Sequence, residues 1–268
     1  MVKTIGLIAI KGGVGKTTIS ASLAADLVNH YGKRVLLVDA NYSAPNLGLH
    51  MDIIEPKKTI QDALSGDVHI SNAIENKFGV DVIPGSFNYE KELNVLRLKD
   101  KIGSIKGNYD FVIIDSSPSM NEEVLSAMLA SDVLFVVSTP DYPTLSCSMK
   151  AAKLAKQRGK PIAGVILNKI REPRFEIPLD EIEDSLEIPV VARIPDDKNN
   201  VGALFTRIPT SIYAKNSKFS MEINRLNAAL IGVSETKGFF ERLFGKLKRE
   251  EVNRQVLRKS FYENVFES

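Results

Sequence analysis

Short runs of apolar residues rich in Val and Ile alternate along the chain with longer amphipathic segments. Apolar runs of this length, bounded by polar residues, predict strands that are buried on both faces of a sheet. The predicted strands are Thr4–Ile10, Arg34–Asp39, Val80–Ile83, Phe111–Asp115, Val133–Ser138, Ile162–Leu167 and Val190–Ile194. The predicted helices are Lys16–Tyr31, Thr59–Ser65, Asn121–Ala130, Thr144–Arg158, Leu179–Leu186 and Ser217–Ile231. This alternation predicts a single doubly wound α/β domain with a mainly parallel sheet of about seven strands.

The character of the chain changes after residue 231. Residues 1–231 carry the alternating pattern, and the polar stretch 232–236 (Gly-Val-Ser-Glu-Thr) predicts a linker. Residues 237–268 are strongly charged and contain several aromatic side chains. We therefore expect a basic, amphipathic helical tail after the α/β domain.

The composition is that of an ordinary globular protein. Of 268 residues, 44% are hydrophobic and 25% are charged, and the net charge of +2 does not favour strong electrostatic binding to nucleic acid. The one cysteine, Cys147, cannot form an internal disulfide, and the three histidines share no metal-ligand spacing. The first residues lack the apolar core of a signal peptide, and no apolar run approaches the ~20 residues that span a bilayer. We expect a cytoplasmic protein without a specific nucleic-acid partner.

A glycine-rich segment lies between the first predicted strand and the first predicted helix, where residues 10–18 read Ile-Lys-Gly-Gly-Val-Gly-Lys-Thr-Thr. Polyphosphate binding requires backbone N–H groups that point inward, and glycines leave room for them. The positive end of the following helix dipole favours the same anion. In this motif Lys16 reaches the β- and γ-phosphates and the Thr17 hydroxyl binds magnesium. The expected nucleotide-binding residues of the loop are Lys11, Gly12, Gly13, Val14, Gly15, Lys16, Thr17 and Thr18.

Two aspartates, Asp39 and Asp115, stand at the ends of the second and fourth predicted strands. The carboxyl ends of parallel strands meet at one edge of a sheet, next to the glycine-rich loop. Carboxylates there suit Mg²⁺, which usually keeps several of its waters. We expect Thr17, Asp39 and Asp115 to form the metal site, the aspartates partly through water.

The loop pattern Lys-Gly-Gly-x-Gly-Lys-Thr resembles that of the signature-lysine P-loop ATPases, the family of MinD, ParA and the iron–sulfur scaffold ATPases. The resemblance implies that Lys11 reaches across an ATP-bound homodimer to the partner's phosphates, and that segments 41–48 and 116–121 respond to the γ-phosphate. The family's Asp-x-Asp reads Asp-Ala-Asn here, and the amide of Asn41 cannot take a proton from water. The resemblance thus implies slow ATP hydrolysis. The expected catalytic residues are Lys11, Lys16, Asp39 and Asn41.

The predicted strand that ends near Leu167 is followed by Asn-Lys-Ile-Arg. Guanine-specific relatives of the family have Asn-Lys-x-Asp, whose carboxylate accepts hydrogen bonds from guanine. Arg171 stands at that position and cannot accept, so ATP is the expected nucleotide. By resemblance, Asn168 faces the adenine edge, and the segment that contains Pro195 and Asp197 lies on the other side of the base.

The tail distinguishes between branches of the family. The iron–sulfur members need paired cysteines, and a DNA-coating ParA needs a basic cluster that residues 1–231 do not show. Residues 237–249 carry five basic side chains and one acid around an apolar stripe, which is typical of a helix on an anionic membrane. This segment resembles the membrane-targeting helix of MinD, although packing of the stripe onto the chain's own core is the alternative. The expected membrane residues are Phe239, Phe240, Leu243, Phe244 and Leu247.

Together the resemblances are strongest to the MinD branch. They imply an ATP- and Mg²⁺-dependent switch that forms a homodimer and binds the inner face of the cell membrane peripherally. Such a switch recruits another protein, or is activated by one, and it positions division or other cellular assemblies. Two alternatives stay open at this point. One is an ATP-gated binding or scaffold protein with little hydrolysis, and the other is a ParA-like partition ATPase.

Overall fold

The computed structural model describes residues 3–89 and 92–232. The segment 233–236 of the predicted linker and the predicted tail, with Phe239, Phe240, Leu243, Phe244 and Leu247, lie outside the described residues. The strands are β1 (Lys3–Ile8), β2 (Val35–Ala40), β3 (Glu75–Lys77), β4 (Val80–Ile83), β5 (Phe111–Ser116), β6 (Val133–Ser138), β7 (Ile162–Ile170) and β8 (Val190–Pro195). The helices are α1 (Lys16–Asn29), α2 (Leu47–His50), α3 (Ile60–Ser65), α4 (Leu98–Gly103), α5 (Glu122–Ala130), α6 (Tyr142–Gln157), α7 (Leu179–Leu186), α8 (Asn199–Thr206), α9 (Thr210–Tyr213) and α10 (Lys218–Leu230).

The strands form one 8-stranded sheet in the order β3-β4-β2-β5-β1-β6-β7-β8. Every pairing is parallel except that of β3 with β4. The predicted doubly wound, mainly parallel sheet is confirmed. Sequence reasoning missed β3, because a three-residue edge strand of Glu, Asn and Lys has no apolar pattern.

The strand order reverses at β1, which pairs with β5 on one side and with β6 on the other. In open α/β sheets, ligands bind beyond the carboxyl ends of the strands at such a switch point. The glycine-rich loop follows β1 and therefore lies at this crevice.

The central strands are buried on both faces, as their apolar runs predict. Every residue of β2, β5 and β6 is buried. On one face, α10 contributes Phe219, Ile223 and Leu226, which share a hydrophobic cluster with Ile19 and Leu23 of α1. Burial of side chains of this size contributes about 1.5–3 kcal/mol each, so α10 holds α1 firmly against the sheet.

Helix starts agree with the sequence where a capping residue marks them. Thr59 caps α3, and its backbone N–H and hydroxyl bond Asp62 in a capping box. The prediction that α6 begins at Thr144 was wrong, because Asp141 is the N-cap and Pro143 lies in the first turn. Proline is tolerated there since the first helical N–H groups have no partner within the helix. The short helices α2, α4, α8 and α9 were missed, because segments of four to eight residues carry little periodicity.

Gly164 offers a test of the close contact between β7 and β8. A Cβ at this position would lie 2.5 Å from Val191 Cγ1 and 3.1 Å from the Pro189 carbonyl oxygen. We expect Gly164→Ala to lower the free energy of unfolding by about 1–3 kcal/mol, because the packed strand must move. Urea denaturation measures the change. Gly103→Ala is the matched control, since a Cβ there meets nothing within 4 Å; equal stability of the two variants would contradict this contact.

Candidate functional site

The loop between β1 and α1 has the backbone that its glycines predict. Gly13 and Gly15 have φ of 79° and 90°, in the left-handed region that glycine favours. A Cβ at Gly12 or Gly13 would meet nothing within 4 Å, so this side of the loop is open. The first turn of α1 contains no acidic residue. The free N–H groups at the start of α1 therefore face a space that suits an anion.

Lys16 is buried, with 6% of its surface exposed, and its charge is neutralised within the chain. Its Nζ lies 3.1 Å from Asp115 Oδ1 and also donates to the carbonyl oxygen of Ser116. Ser116 is the last residue of β5, so Lys16 connects the glycine-rich loop to the start of segment 116–121. A ligand that binds the Lys16 ammonium group must break both of these contacts.

Asp115 is fully buried and accepts three side-chain donors. Besides Lys16, the Thr17 hydroxyl donates to Oδ2 at 2.7 Å and the Ser20 hydroxyl donates to Oδ1 at 3.0 Å. The structure thus brings together Lys16, Thr17 and Asp115, which sequence reasoning placed at one site, and adds Ser20. Four residues after Lys16 on a helix, Ser20 lies on the same face, which is the spacing that could have revealed it.

Asp39 lies beside Asp115, because the two residues are in register on β2 and β5. Its oxygens accept the backbone N–H groups of Asn41 and Leu47, each at 3.0 Å. Burial raises the pKa of Asp39 to about 7, and the nearby Asp115 charge adds to this effect. Two buried carboxylates side by side favour a shared cation, whose charge would lower the pKa of Asp39.

Segment 41–48 packs against this centre. The Asn41 side chain is buried and donates from Nδ2 to the Ala44 carbonyl oxygen. Its Oδ1 is also buried and has no hydrogen-bond partner among the described residues. Asn46 accepts from the Thr17 hydroxyl at 3.1 Å, a contact that sequence reasoning missed although residue 46 lies within the segment it singled out.

Lys11 is held on the other side of the loop, within its own chain. Its Nζ lies 3.2 Å from Asp141 Oδ1 and donates to the Thr144 hydroxyl at 2.8 Å. The side chains of Lys11 and Asp141 are 40% and 44% exposed, so this ion pair is weak. Hydrogen bonds from Thr139, Thr144 and Lys11 outweigh partial burial and lower the pKa of Asp141 to about 2. Sequence reasoning missed Asp141, although it follows β6 at the same edge as Asp39 and Asp115.

The last residues of β7 pack against the glycine-rich loop. Asn168 is buried, and its Nδ2 donates to the Val14 carbonyl oxygen at 2.7 Å, while its Oδ1 has no partner among the described residues. A Cβ on Gly15 would lie 2.3 Å from Asn168 Nδ2, so the two segments touch. Lys169 donates to the Gly13 carbonyl oxygen at 2.7 Å. Thr18, the last residue predicted in the loop, is half-buried in the first turn of α1.

The predicted wall on the far side of the base adjoins this segment. Arg171 Nε donates to Asp196 Oδ2 at 2.6 Å, which joins the end of β7 to the loop after Pro195. The Asp197 carboxylate accepts the Asn199 N–H at 2.9 Å, and the Asn199 side-chain amide at 2.7 Å. These hydrogen bonds lower the pKa of Asp197. Asp197 therefore fixes the loop, while the Asn168 Oδ1 is the free acceptor on this side.

Within residues 3–89 and 92–232, no group of three or more His, Cys, Asp or Glu side chains is arranged to hold a metal ion. In the same part of the chain, no helix has the length and apolarity needed to cross a membrane. The expected metal site is of a different kind, because it combines two carboxylates with a threonine hydroxyl.

Comparisons with known proteins show the family of the chain. The family model described as "AAA domain" matches residues 2–157. An uncharacterized ATP-binding protein of Methanocaldococcus jannaschii is 33% identical over 226 residues, which cover 83% of this chain and 86% of that protein. The septum site-determining protein MinD of Thermotoga maritima is 29% identical over 265 residues, covering 89% of this chain and 96% of that protein. The chain belongs to the MinD/ParA family of P-loop ATPases.

A solved structure of MinD shares the fold of this MinD/ParA-family protein. MinD of Pyrococcus horikoshii, complexed with Mg-ADP, is 30% identical and superposes with a TM-score of 0.81, covering 89% of this chain and 100% of that one. The P-loop NTPase fold expected from the sequence is confirmed.

The residues present fit a magnesium nucleotide. The open side of Gly12 and Gly13 leaves room for phosphates, and Lys16 supplies a positive charge at the start of α1. Thr17, Asp39 and Asp115 provide oxygen atoms of the kind that Mg²⁺ prefers. The unpaired Asn168 Oδ1 is an acceptor, which suits the amino group of adenine.

Asn168 tests the base side of this site. We expect Asn168→Ala to weaken ATP–Mg²⁺ binding about 5- to 100-fold, because the variant loses its hydrogen bond to Val14 and the acceptor for the base. Calorimetric titration measures the affinity. Arg171→Ala, three residues along the same segment, is the control and should retain most of the affinity. Unchanged binding by Asn168→Ala would remove this residue from the site.

Proposed function

We propose that this protein is an ATP-driven switch, in which ATP and Mg²⁺ promote a homodimer, the dimer binds an anionic membrane surface, and hydrolysis reverses both steps. The contact between Lys16 and Asp115 carries the proposal. It is a buried ion pair that joins the loop for the phosphates to the strand end expected to hold the metal. Separation of the two charges requires an anion for Lys16 and a cation for Asp115, and ATP with Mg²⁺ brings both.

The roles of the site residues follow from this arrangement. The backbone of residues 12–17 holds the phosphates with the help of Lys16, and Asn168 contacts adenine beside the loop of Pro195 and Asp197. Thr17, Asp39 and Asp115 hold Mg²⁺, which supplies charge neutralisation at the phosphates when bound. Asn41 begins segment 41–48, two residues after Asp39, and its amide accepts a hydrogen bond from water but cannot remove a proton.

Lys11 supports a dimer because its ion pair with Asp141 in the monomer is weak. Both Lys11 and Asp141 are about two-fifths exposed, and an exposed ion pair contributes about 0.2–1 kcal/mol. A phosphate of a partner-bound nucleotide is a stronger acceptor than a single exposed carboxylate. Lys11 can thus exchange its contact within the chain for one across the dimer.

The basic tail, residues 237–268, supports membrane binding by its sequence alone. The apolar stripe Phe239, Phe240, Leu243, Phe244 and Leu247 is flanked by basic residues. One such segment binds weakly, whereas two tails in a dimer act at an effective concentration of order mM, and avidity rises about 10²–10⁴-fold. Dimerisation through ATP is therefore able to control membrane binding.

A second candidate is an ATP-gated binding protein with little turnover, and Asn41 is the observation that favours it. The residue replaces an acidic group, and its amide is buried against the Ala44 carbonyl oxygen. Phosphoryl transfer depends mainly on positioning and charge, so this change slows turnover rather than preventing nucleotide binding. Release of phosphate at steady state distinguishes the two candidates.

Lys11 provides the test of the dimer. We expect Lys11→Ala to bind ATP but to remain monomeric, because the partner's phosphates lose their contact in trans. Asp141→Asn retains a good N-cap for α6 but removes the charge that pairs with Lys11, and it should raise the association constant of the dimer about 2- to 5-fold per protomer. Light scattering at fixed ATP measures the mass, with Lys99→Ala as an exposed-lysine control. A single mass in all variants, with and without ATP, would overturn the proposed switch.

Phe240 provides the test of the membrane step. We expect the full chain to sediment with anionic liposomes in ATP and to stay mostly soluble in ADP. Phe240→Glu should abolish sedimentation, since it places a charge in the apolar stripe and repels the anionic surface. Neutral liposomes and added salt serve as controls and should weaken binding. Equal sedimentation in ADP and ATP would contradict nucleotide control.

A further inference from the structure

The carboxylate of Glu123, which has no role in the nucleotide site described above, lies between the two segments expected to respond to the γ-phosphate, 41–48 and 116–121. Glu123 lies in the first turn of α5, directly after segment 116–121. Its Oε1 accepts the backbone N–H of Ser43 at 3.0 Å, across 80 residues of sequence. Ser43 belongs to segment 41–48. This hydrogen bond connects the two segments directly.

The position of Glu123 is fixed from its own side as well. The Asn121 side chain caps α5 and accepts the N–H groups of Glu123 at 3.1 Å and of Val124 at 3.3 Å. The cap sets the direction in which the first turn leaves segment 116–121. Glu123 is thus carried by the end of that segment and reaches back to Ser43.

The second oxygen of Glu123 is buried without a partner. The residue is 9% exposed, and Oε2 has no hydrogen-bond partner among the described residues. No Lys, Arg or His side chain in the described part of the chain lies within ion-pair distance of it. A buried acceptor without a donor destabilises this conformation relative to one in which a donor reaches the acceptor.

Asn41, two residues before Ser43, has the same property. Its Oδ1 is buried and has no partner among the described residues. Asn41 and Glu123, which are connected through Ser43, therefore each carry a buried acceptor without a donor. Both acceptors suit O–H donors, which are the donors that bound water supplies.

We propose that Glu123 is a positioning residue for ATP hydrolysis. It holds segment 41–48 through Ser43, and it supplies the negative charge that an aspartate at residue 41 would have provided. This inference deepens the proposed function and rests on it. Glu123 acts through the segment that carries Asn41, and the amide of Asn41 orients water. Charge and orientation thus come from two residues.

Glu123→Gln is the variant that separates charge from shape. Glutamine keeps the side-chain length and the acceptor for Ser43 but removes the charge. We expect kcat for ATP to fall about 10- to 100-fold with little change in KM, because misplacement of a reacting group costs rates of this order. Glu122→Gln is the matched control, since Glu122 is the exposed neighbour in the same turn. It should leave kcat unchanged.

Rescue distinguishes positioning from mere stability. In the double variant Glu123→Gln/Asn41→Asp, the carboxylate returns at residue 41, and most of the lost kcat should return with it. Wild-type kcat in Glu123→Gln, or a double variant no faster than Glu123→Gln, would overturn the proposal. Absence of turnover in wild type, relative to Lys16→Ala, would instead overturn the proposed hydrolysis.

Hydrogen exchange tests the coupling without hydrolysis. In wild type with Mg²⁺ and a non-hydrolysable ATP analogue, we expect segments 41–48 and 116–121 to gain protection together. In Glu123→Ala, which removes the bond to Ser43, segment 116–121 should gain protection while segment 41–48 remains at its ADP level. Equal protection of both segments in this variant would overturn the coupling role of Glu123.

Discussion

The buried carboxylate of Asp115 is the group on which the arrangement of the site depends. It is fully buried at the end of a central strand, and it accepts from Lys16, Thr17 and Ser20. A buried charge is tolerated only where an opposite charge and hydrogen bonds compensate for lost solvation. All three donors lie on the first turns of α1, so this compensation fixes the helix and the glycine-rich loop above β1. The packing of α1 against α10 then holds the donors in place.

Sequence patterns predicted those parts of the fold and site that rest on strong local rules. The central strands were found because burial on both faces leaves long apolar runs. The predicted starts of α3 and α10, at Thr59 and Ser217, coincide with the N-cap residues of the structure. Asp39 and Asp115 were placed together because parallel strands end at a common edge, and their register on β2 and β5 agrees.

The missed residues depend on contacts between segments that are far apart in the sequence. Asp141 meets Lys11 across 130 residues, and Glu123 meets Ser43 across 80. No periodicity encodes such a pair, because each residue alone resembles a helix cap or an ordinary surface acid. Glu123 also illustrates a limit of the helix pattern, since its place in the first turn is favourable for any acid near the helix dipole. Its burial and its hydrogen bond to Ser43 distinguish it from its exposed neighbour Glu122.

The two lysines of the glycine-rich loop are held by carboxylates of the same chain, but with different consequences. Lys11 pairs with the exposed Asp141, and water or salt competes readily for such a contact. Lys16 pairs with the buried Asp115, where removal of one partner leaves an uncompensated charge at a cost of about 3–5 kcal/mol. An anion alone would bind Lys16 and leave Asp115 without an opposite charge. A cation alone would bind Asp115 and leave Lys16 without one. A ligand that carries both charges avoids either cost. Binding of nucleotide and metal is thus coupled at Lys16, whereas the weak ion pair of Lys11 allows this lysine to contact a partner.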